Sequence, residues 1–574
     1  MRPFTNLPDI ETMGKSFVYN TGAPETGNVQ EILDLNFGLF MDGTPNNQTN
    51  TGLRLQQEEK HPEKDHFSAP EQNSWLHFFV APQQSSYHND LTNIARMWQW
   101  CRSDYRIYIE GAGTVTGGAD DPEGYLFGSG ATGIRAKVRE ACERLAKAVL
   151  NARRQAANRN KRTGTLTIDV FGFSRGAAAA RNFLHEVNVR RAYQAVRRPG
   201  CPTGIPALCV PAATAPLSQN NGLFYDADGM PVDMACLRKN MLPKMGHFGY
   251  ALLLGGMPDK ELNSLRLVVR FVGLYDTVTA SLNPGAEGIY CCQNTSVLAS
   301  ASQYLHSGLD HDAPALNLNE IGPVVKLVHL TAADEHRKNF ALKRIAAHPA
   351  AVERLLPGSH SDIGGGYENA VEEQELESSL HFPNGYLDEL GAGLIESGWF
   401  RPEQLRIENG IRNKWSAGVL PRSVWSRRFV RKEYSYLALH LMQAYCSAHL
   451  RGVLLNDLST VYSLHGHPVL EAFNAQLRSE LNDVHHHQVI SNIFSKVLQA
   501  DKSTSKSRHL PDRIYTPLHL ETVAGSSSQP ADASARLPAS LSLLHRLRNE
   551  YLHWPACWSA WGMEPEAGRI RSIT

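Results

Sequence analysis

The sequence predicts an α/β protein on a mostly parallel central sheet, on three observations. Short apolar runs with strand composition are separated by turn signals; helical periodicities alternate with them; and one run passes through a glycine-flanked serine into an alanine-rich helix. The chain has 574 residues, two to four domains' worth of material or one domain with large insertions. At 42% hydrophobic and 20% charged it has the composition of a globular protein with a sizeable core.

Each element can be justified in order. Residues 31–41 are apolar and end in Asp42-Gly43-Thr44-Pro45-Asn46-Asn47, a dense turn signal. Residues 105–109 form a second strand, followed by a glycine-rich loop from Gly111 to Gly130. Ile134, Val138, Ala141, Leu145 and Val149 recur at helical spacing. A third strand, Leu166 to Phe171, leads into Gly172-Phe-Ser-Arg-Gly-Ala177; Leu265–Leu274 and Val324–Leu330 are two more. The pattern dissolves between about 190 and 262, which predicts an insertion over the core. It reads as a lid or as a plain insertion, and Phe224, Tyr225, Met230 and Met234 would be the apolar contacts of a lid. An α/β domain over 25–370 is therefore expected, followed by a mainly helical region over 371–574. That region includes a linker-like stretch at 523–540 and an aromatic-basic run at 422–436, read as a helix face packing its aromatics inward or resting on lipid headgroups.

Gly172-Phe173-Ser174-Arg175-Gly176 fits G-x-S-x-G, the turn that lifts a serine above the sheet in an α/β-hydrolase fold. Side chains at the two glycines would collide with the neighbouring strand and helix, and the Arg175 amide opens the helix facing a developing oxyanion. Ser174 is the candidate nucleophile. Such a serine needs a base and an orienting acid, in the chain order Ser, Asp, His. Asp276 ends an apolar strand, and His360 lies in the glycine-laden stretch Pro357–Gly366. Asp334 and Asp362 are lesser candidates for the acid, Asp362 because it is so near His360. His329 reads as a core or surface residue and His336 as solvated. The Gly43 or Thr44 amide is the candidate second oxyanion donor.

Together, Phe40-Met-Asp-Gly-Thr44, Thr92-Asn-Ile-Ala-Arg96, Glu110-Gly-Ala-Gly-Thr114, Gly172-Phe-Ser-Arg-Gly-Ala177, Gly273-Leu-Tyr-Asp-Thr-Val278, Asp334-Glu-His-Arg337 and Pro357–Gly366 resemble, in order, the type VI secretion lipase effectors of the first subfamily. The resemblance implies an antibacterial phospholipase A1 or A2 with an α/β-hydrolase domain, its triad falling on Ser174, Asp276 and His360. It also implies membrane phospholipids as substrate, an immunity protein in the producer and a spike or tube component as delivery partner. Such a protein is made in the bacterial cytoplasm and acts in the periplasm or membrane of a target cell. A soluble carboxylesterase or thioesterase with the same triad, and a binding protein on a hydrolase scaffold, are the alternative readings.

Lys plus Arg and Asp plus Glu number 57 each, so nothing points to nucleic acid. Nine scattered cysteines, with only Cys291-Cys292 adjacent and no CxxC pair, read as thiols rather than a disulfide framework. The N-terminal residues carry no apolar run of signal-peptide length, and no stretch reaches the roughly 20 apolar residues of a spanning helix. No cofactor is expected, and no metal. His465-Gly-His467 and His485-His-His487 have no partner at ligand spacing, and Asp120-Asp121 offers too few oxygens for calcium.

Overall fold

The computed structural model describes residues 31–60, 85–128, 130–158, 160–188, 196–197, 224–226, 228, 230–279, 316–379, 385–408, 422–482, 539–558, 563–566 and 569–573. The segments 198–217 and 523–538, His485–His487 and the Cys291-Cys292 pair lie outside them.

The centre is a six-stranded sheet built from β1 (Ile32–Met41), β2 (Arg106–Ile109), β3 (Arg162–Phe173), β7 (Arg266–Tyr275), β8 (Lys326–Ala332) and β9 (Ala351–Leu356), in the spatial order β2-β1-β3-β7-β8-β9. Every pairing is parallel. A parallel sheet has to be covered on both faces, and the strands alternate accordingly. Phe37, Leu39 and Met41 of β1, Leu166, Ile168 and Val170 of β3, and Val272 and Leu274 of β7 join one core. Phe40, Phe171, Phe173, Phe271 and Tyr275 join the other.

With α1 (Gln48–Lys60) and α3 (Pro122–Phe127) in the connections after β1 and β2, the first core is closed by α4 (Ile134–Arg154), as its periodicity predicts, and by the alanine-rich α5 (Arg175–Asn188). The insertion expected over 190–262 needs correction at its end. There α6 (Gly246–Leu254) and α7 (Asp259–Ser264) bury Phe248, Leu252 and Leu262 in the same core. Before them, β4 (Val196–Arg197), β5 (Phe224–Tyr225) and β6 (Pro231–Val232) form a small antiparallel sheet.

The second core is covered by α2 (Asn93–Gln99) and by elements from the C-terminal third. These include α9 (Tyr386–Glu396), α10 (Tyr434–Cys446), α11 (Leu458–Val461), α12 (Pro468–Asn482) and α13 (Ala539–Glu550), and α8 (His360–Gly364), earlier in the chain, adds Ile363 to the same core. The region also holds a three-stranded antiparallel sheet, β10 (Ala370–Ser379), β12 (Arg422–Val430) and β11 (Leu405–Glu408), with β12 in the middle. The aromatic-basic run is thus largely a strand, not a helix face. Among the described residues no helix is long and apolar enough to cross a membrane, and the described cysteines, such as Cys142 and Cys446, are free and buried.

Candidate active site

Ser174 is the single residue between β3 and α5, and its φ is 56°. A non-glycine residue in that region is held there at a cost by its surroundings. The glycines on either side show what the turn demands. A Cβ on Gly172 would lie 2.6 Å from the Gly176 carbonyl oxygen and 2.7 Å from Ala177 Cα, and one on Gly176 would run into the Met41 and Asp42 carbonyls. The turn is tied to the next strand by the Ser174 amide, which donates to the Tyr275 carbonyl at 3.1 Å. Asp276 follows directly, at φ 40°, so both candidate residues sit at adjacent strand tips.

His360 Nδ1 lies 2.6 Å from Asp276 Oδ2. Burial alone would raise the Asp276 carboxyl; the Arg571 guanidinium and His360 outweigh it and hold the carboxyl well below the usual carboxylate range. An ionised carboxylate only accepts, so Nδ1 carries the proton and Nε2 is left with its lone pair. Burial keeps the imidazole below its ordinary pKa, against the pull of Asp276. The ring is held between Phe173, with centroids 4.6 Å apart, and Phe340, 5.1 Å away and nearly perpendicular to it. Because Phe173 precedes Ser174, this stacking sets the imidazole beside the nucleophile turn. Among the described residues no hydrogen bond closes between Ser174 and His360; such contacts are often loose without substrate.

Two buried acids hold the histidine loop. Glu335 Oε2 accepts the His360 amide at 3.1 Å and is itself forked to Arg337. Asp362 caps its own helix by accepting from the Ser359 amide and hydroxyl, and pairs with His553 at 2.7 Å. Asp362 is thus structural, and its nearness to His360 reflects the cap. His336, expected in solvent, is buried against Trp554; burial drives its pKa down to about 3 and keeps it neutral. His329 is a core residue with Nε2 3.1 Å from the Thr277 amide, so it accepts there and braces the residue after Asp276.

The loop after β1 approaches the serine closely: a Cβ on Gly43 would lie 3.0 Å from Ser174 Cβ. The Gly43 amide, however, donates to Asp42 Oδ1 at 2.7 Å. Asp42 also accepts from Thr92 Oγ1 and, at 2.6 Å, from the Tyr108 hydroxyl. Burial raises it to about 6 against these bonds. The Thr44 hydroxyl is buried with no hydrogen-bond partner among the described residues. Arg175, which opens α5, has its guanidinium 3.2 Å from the Gly124 carbonyl, and burial lowers its pKa to about 10.

The remaining clusters of metal-type side chains make structural bonds among the described residues. Asp120 accepts from the Ser86 amide and hydroxyl, and Asp121 from Thr132. His465 faces Glu471 while His467 meets the Tyr551 hydroxyl. Asp226, Asp228 and His247 converge, but Arg135 and Arg139 already balance Asp228. His247 opposes its own burial by pairing with Glu186 and Asp226, which raise it to about 9, so the cluster carries its own cation. Met230 and Met234 are exposed.

Arg571 was not anticipated. Its segment carries no periodicity or motif, and it reaches the site only through the chain's return. Glu335 and Thr92 sat within motifs, Asp334-Glu-His-Arg337 and Thr92-Asn-Ile-Ala-Arg96, whose bracing function sequence does not reveal.

Residues 256–382, which include Asp276 and His360, match the family model described as T6SS, phospholipase effector Tle1-like, catalytic domain. The resemblance read from the motifs is borne out over that stretch. A search of curated proteins gives no match. Among solved structures, one described as the Tle1 effector bound to the VgrG spike of the type 6 secretion system is similar at a TM-score of 0.48 and 17% identity. The match covers 95% of this chain and 94% of that one. A second, an uncharacterized protein from Pseudomonas aeruginosa, is similar at a TM-score of 0.32 and 16% identity over 82% of this chain and 54% of that one.

Proposed function

We propose that this chain is a serine hydrolase that cleaves acyl esters of membrane phospholipids, with phospholipase A1 or A2 activity, as an effector of type VI secretion. The observation that carries the hydrolase reading is the pair of strand tips. Ser174 stands on a forced positive-φ turn, and the neighbouring tip presents Asp276 at 2.6 Å from the His360 imidazole.

In this reading the Ser174 hydroxyl attacks the ester carbonyl and His360 Nε2 takes its proton. Asp276 holds the other nitrogen protonated and stabilises the imidazolium that forms. The oxyanion is received by the Arg175 amide, at the positive end of α5, and by the loop after β1. Because the Gly43 N–H is bonded to Asp42, the donor from that loop is the Thr44 amide. His360 then returns the proton to the departing alcohol, and water admitted to the site releases the acyl-enzyme by the same steps in reverse. Phospholipid as the acyl donor, a spike or tube component as carrier and an immunity protein as antidote rest on the family match and the ordered motifs.

The test is fatty-acid release from phospholipid vesicles. Wild-type protein should release fatty acid, and Ser174→Ala should reduce the rate by a factor of roughly 10³ or more with its thermal transition unchanged. Retained release by Ser174→Ala would remove the nucleophile assignment. Turnover of short soluble esters with none at vesicles would favour the esterase reading.

A further inference from the structure

We infer that Arg571 is a positioning residue for the proposed hydrolysis: it locks the Asp276 carboxylate in the orientation that serves His360 and offsets the carboxylate's charge. The inference rests on the hydrolase reading for its catalytic meaning, but its geometry stands on its own.

Asp276 is fully buried. Its Oδ1 accepts from the Ala332 amide at 2.8 Å and from an Arg571 guanidinium nitrogen at 2.7 Å. Its Oδ2 accepts from the other Arg571 terminal nitrogen at 2.7 Å and from His360 Nδ1 at 2.6 Å. A carboxylate has about four lone-pair sites, and here four donors fill them. The parallel fork of an arginine fixes the plane of its carboxylate partner. With that plane set, Oδ2 cannot swing away from the imidazole without breaking three other bonds.

Arg571 is equally constrained. Its side chain is 7% exposed; Nε donates to the Phe340 carbonyl at 2.8 Å, and the terminal nitrogen bonded to Asp276 Oδ1 also donates to the Ala332 carbonyl at 3.2 Å. The backbone around it runs beside the loop that follows β8. The Glu566 amide donates to the His336 carbonyl, the Lys338 amide to the Glu564 carbonyl and the Leu342 amide to the Ser572 carbonyl. That loop also supplies Glu335, which holds the His360 amide, and Phe340, which flanks its ring. These two paired segments therefore brace the candidate acid and the candidate base together.

The electrostatic consequence follows from the groups that face the imidazole. Asp276 and Glu335 stabilise its protonated form; Arg337 and burial oppose it. Glu335 and Arg337 are joined to each other at 2.8 Å and largely cancel. On the far side of Thr277, Glu353 is paired with His329. The charge that sets the balance is thus Asp276, and Arg571 is its counterion. Without Arg571 the imidazolium would face an uncompensated buried carboxylate and would hold its proton to higher pH.

The test has two readouts on folded protein. The first is the pH dependence of ester hydrolysis by wild type, Arg571→Lys and Arg571→Gln. The second is the His360 titration followed by NMR in the Ser174→Ala background, which does not depend on turnover. Arg571→Gln should move the acid limb and the His360 titration upward by about one pH unit, and lower plateau kcat/KM by roughly tenfold or more. Arg571→Lys keeps the charge but not the fork. Its limb should stay near wild type while its plateau falls, and it also serves if the glutamine variant does not fold. An Arg571→Gln titration that stays in place, or an Arg571→Lys plateau equal to wild type, would overturn the inference while leaving the triad intact. No hydrolysis by wild type at any pH would remove the hydrolase reading and the positioning role with it, even if the titration moved.

Discussion

At the scale of single residues, the site is made by close approach. Gly364 stands against the Phe173 ring so tightly that a Cβ there would overlap it. Phe173 in turn stacks on His360, and both ends of this contact lie one residue or a few from the proposed chemistry. Gly364→Ala should therefore destabilise the fold by about 1–3 kcal/mol, the usual cost of overpacking a core. It should also lower kcat/KM more than it raises KM, because it displaces the imidazole rather than a substrate contact. Thermal unfolding and steady-state kinetics check both. The candidates Ser174, Asp276 and His360 could be singled out in the sequence because each stands where local pattern gives out, at a strand tip or in a run of glycines. The role of Asp362 was not legible, since nearness along the chain to His360 said nothing of where its carboxylate points. His336 lay in a charged stretch that reads as solvent-facing, yet Trp554 and Arg569 from far along the chain enclose it.

At the scale of elements, β12 shows why a strand can hide. Its inward positions are Val424, Ser426, Arg428 and Val430, all buried, while Arg427 and Phe429 between them are exposed. The alternation is that of a strand, but two of the four inward residues are polar, so the hydrophobic pattern does not display it. Arg428 can lie inside because Glu372 on β10 takes its fork at 2.9–3.0 Å and the Trp399, Arg548 and Leu552 carbonyls take the rest. Removing one member of such a buried pair typically costs about 3–5 kcal/mol. Arg428→Met should lower the unfolding temperature by an amount matching that range and leave vesicle binding unchanged, as scattering or flotation would show. Weaker vesicle binding with normal stability would instead return this arginine to a lipid-facing role. Five strands of the parallel sheet between 31 and 332, with α4 and α5, were legible because apolar runs and helical spacing have no competing reading there; α2, α6 and α7 are too short or too evenly apolar to show a period.

At the scale of the whole molecule, the two faces of the sheet are closed by different parts of the chain. One is covered by helices that follow their strands closely in sequence; the other takes α10, whose Leu437, Leu441 and Met442 enter the same core as Phe171, Phe271 and Tyr275. The region after 370 therefore completes the core of the preceding part, and through Arg571 it reaches the candidate catalytic acid. Where this region packs is not legible in the sequence, since that contact depends on long-range return rather than on any local period. The central claim, that Ser174 is an activated nucleophile in this assembled site, is tested most directly by a fluorophosphonate probe read out by peptide mass spectrometry. The account predicts one adduct, on Ser174, formed readily in wild type, absent in Ser174→Ala and slowed at least tenfold in His360→Ala. No adduct on folded, ester-cleaving wild-type protein, or an adduct on a different residue, would contradict it.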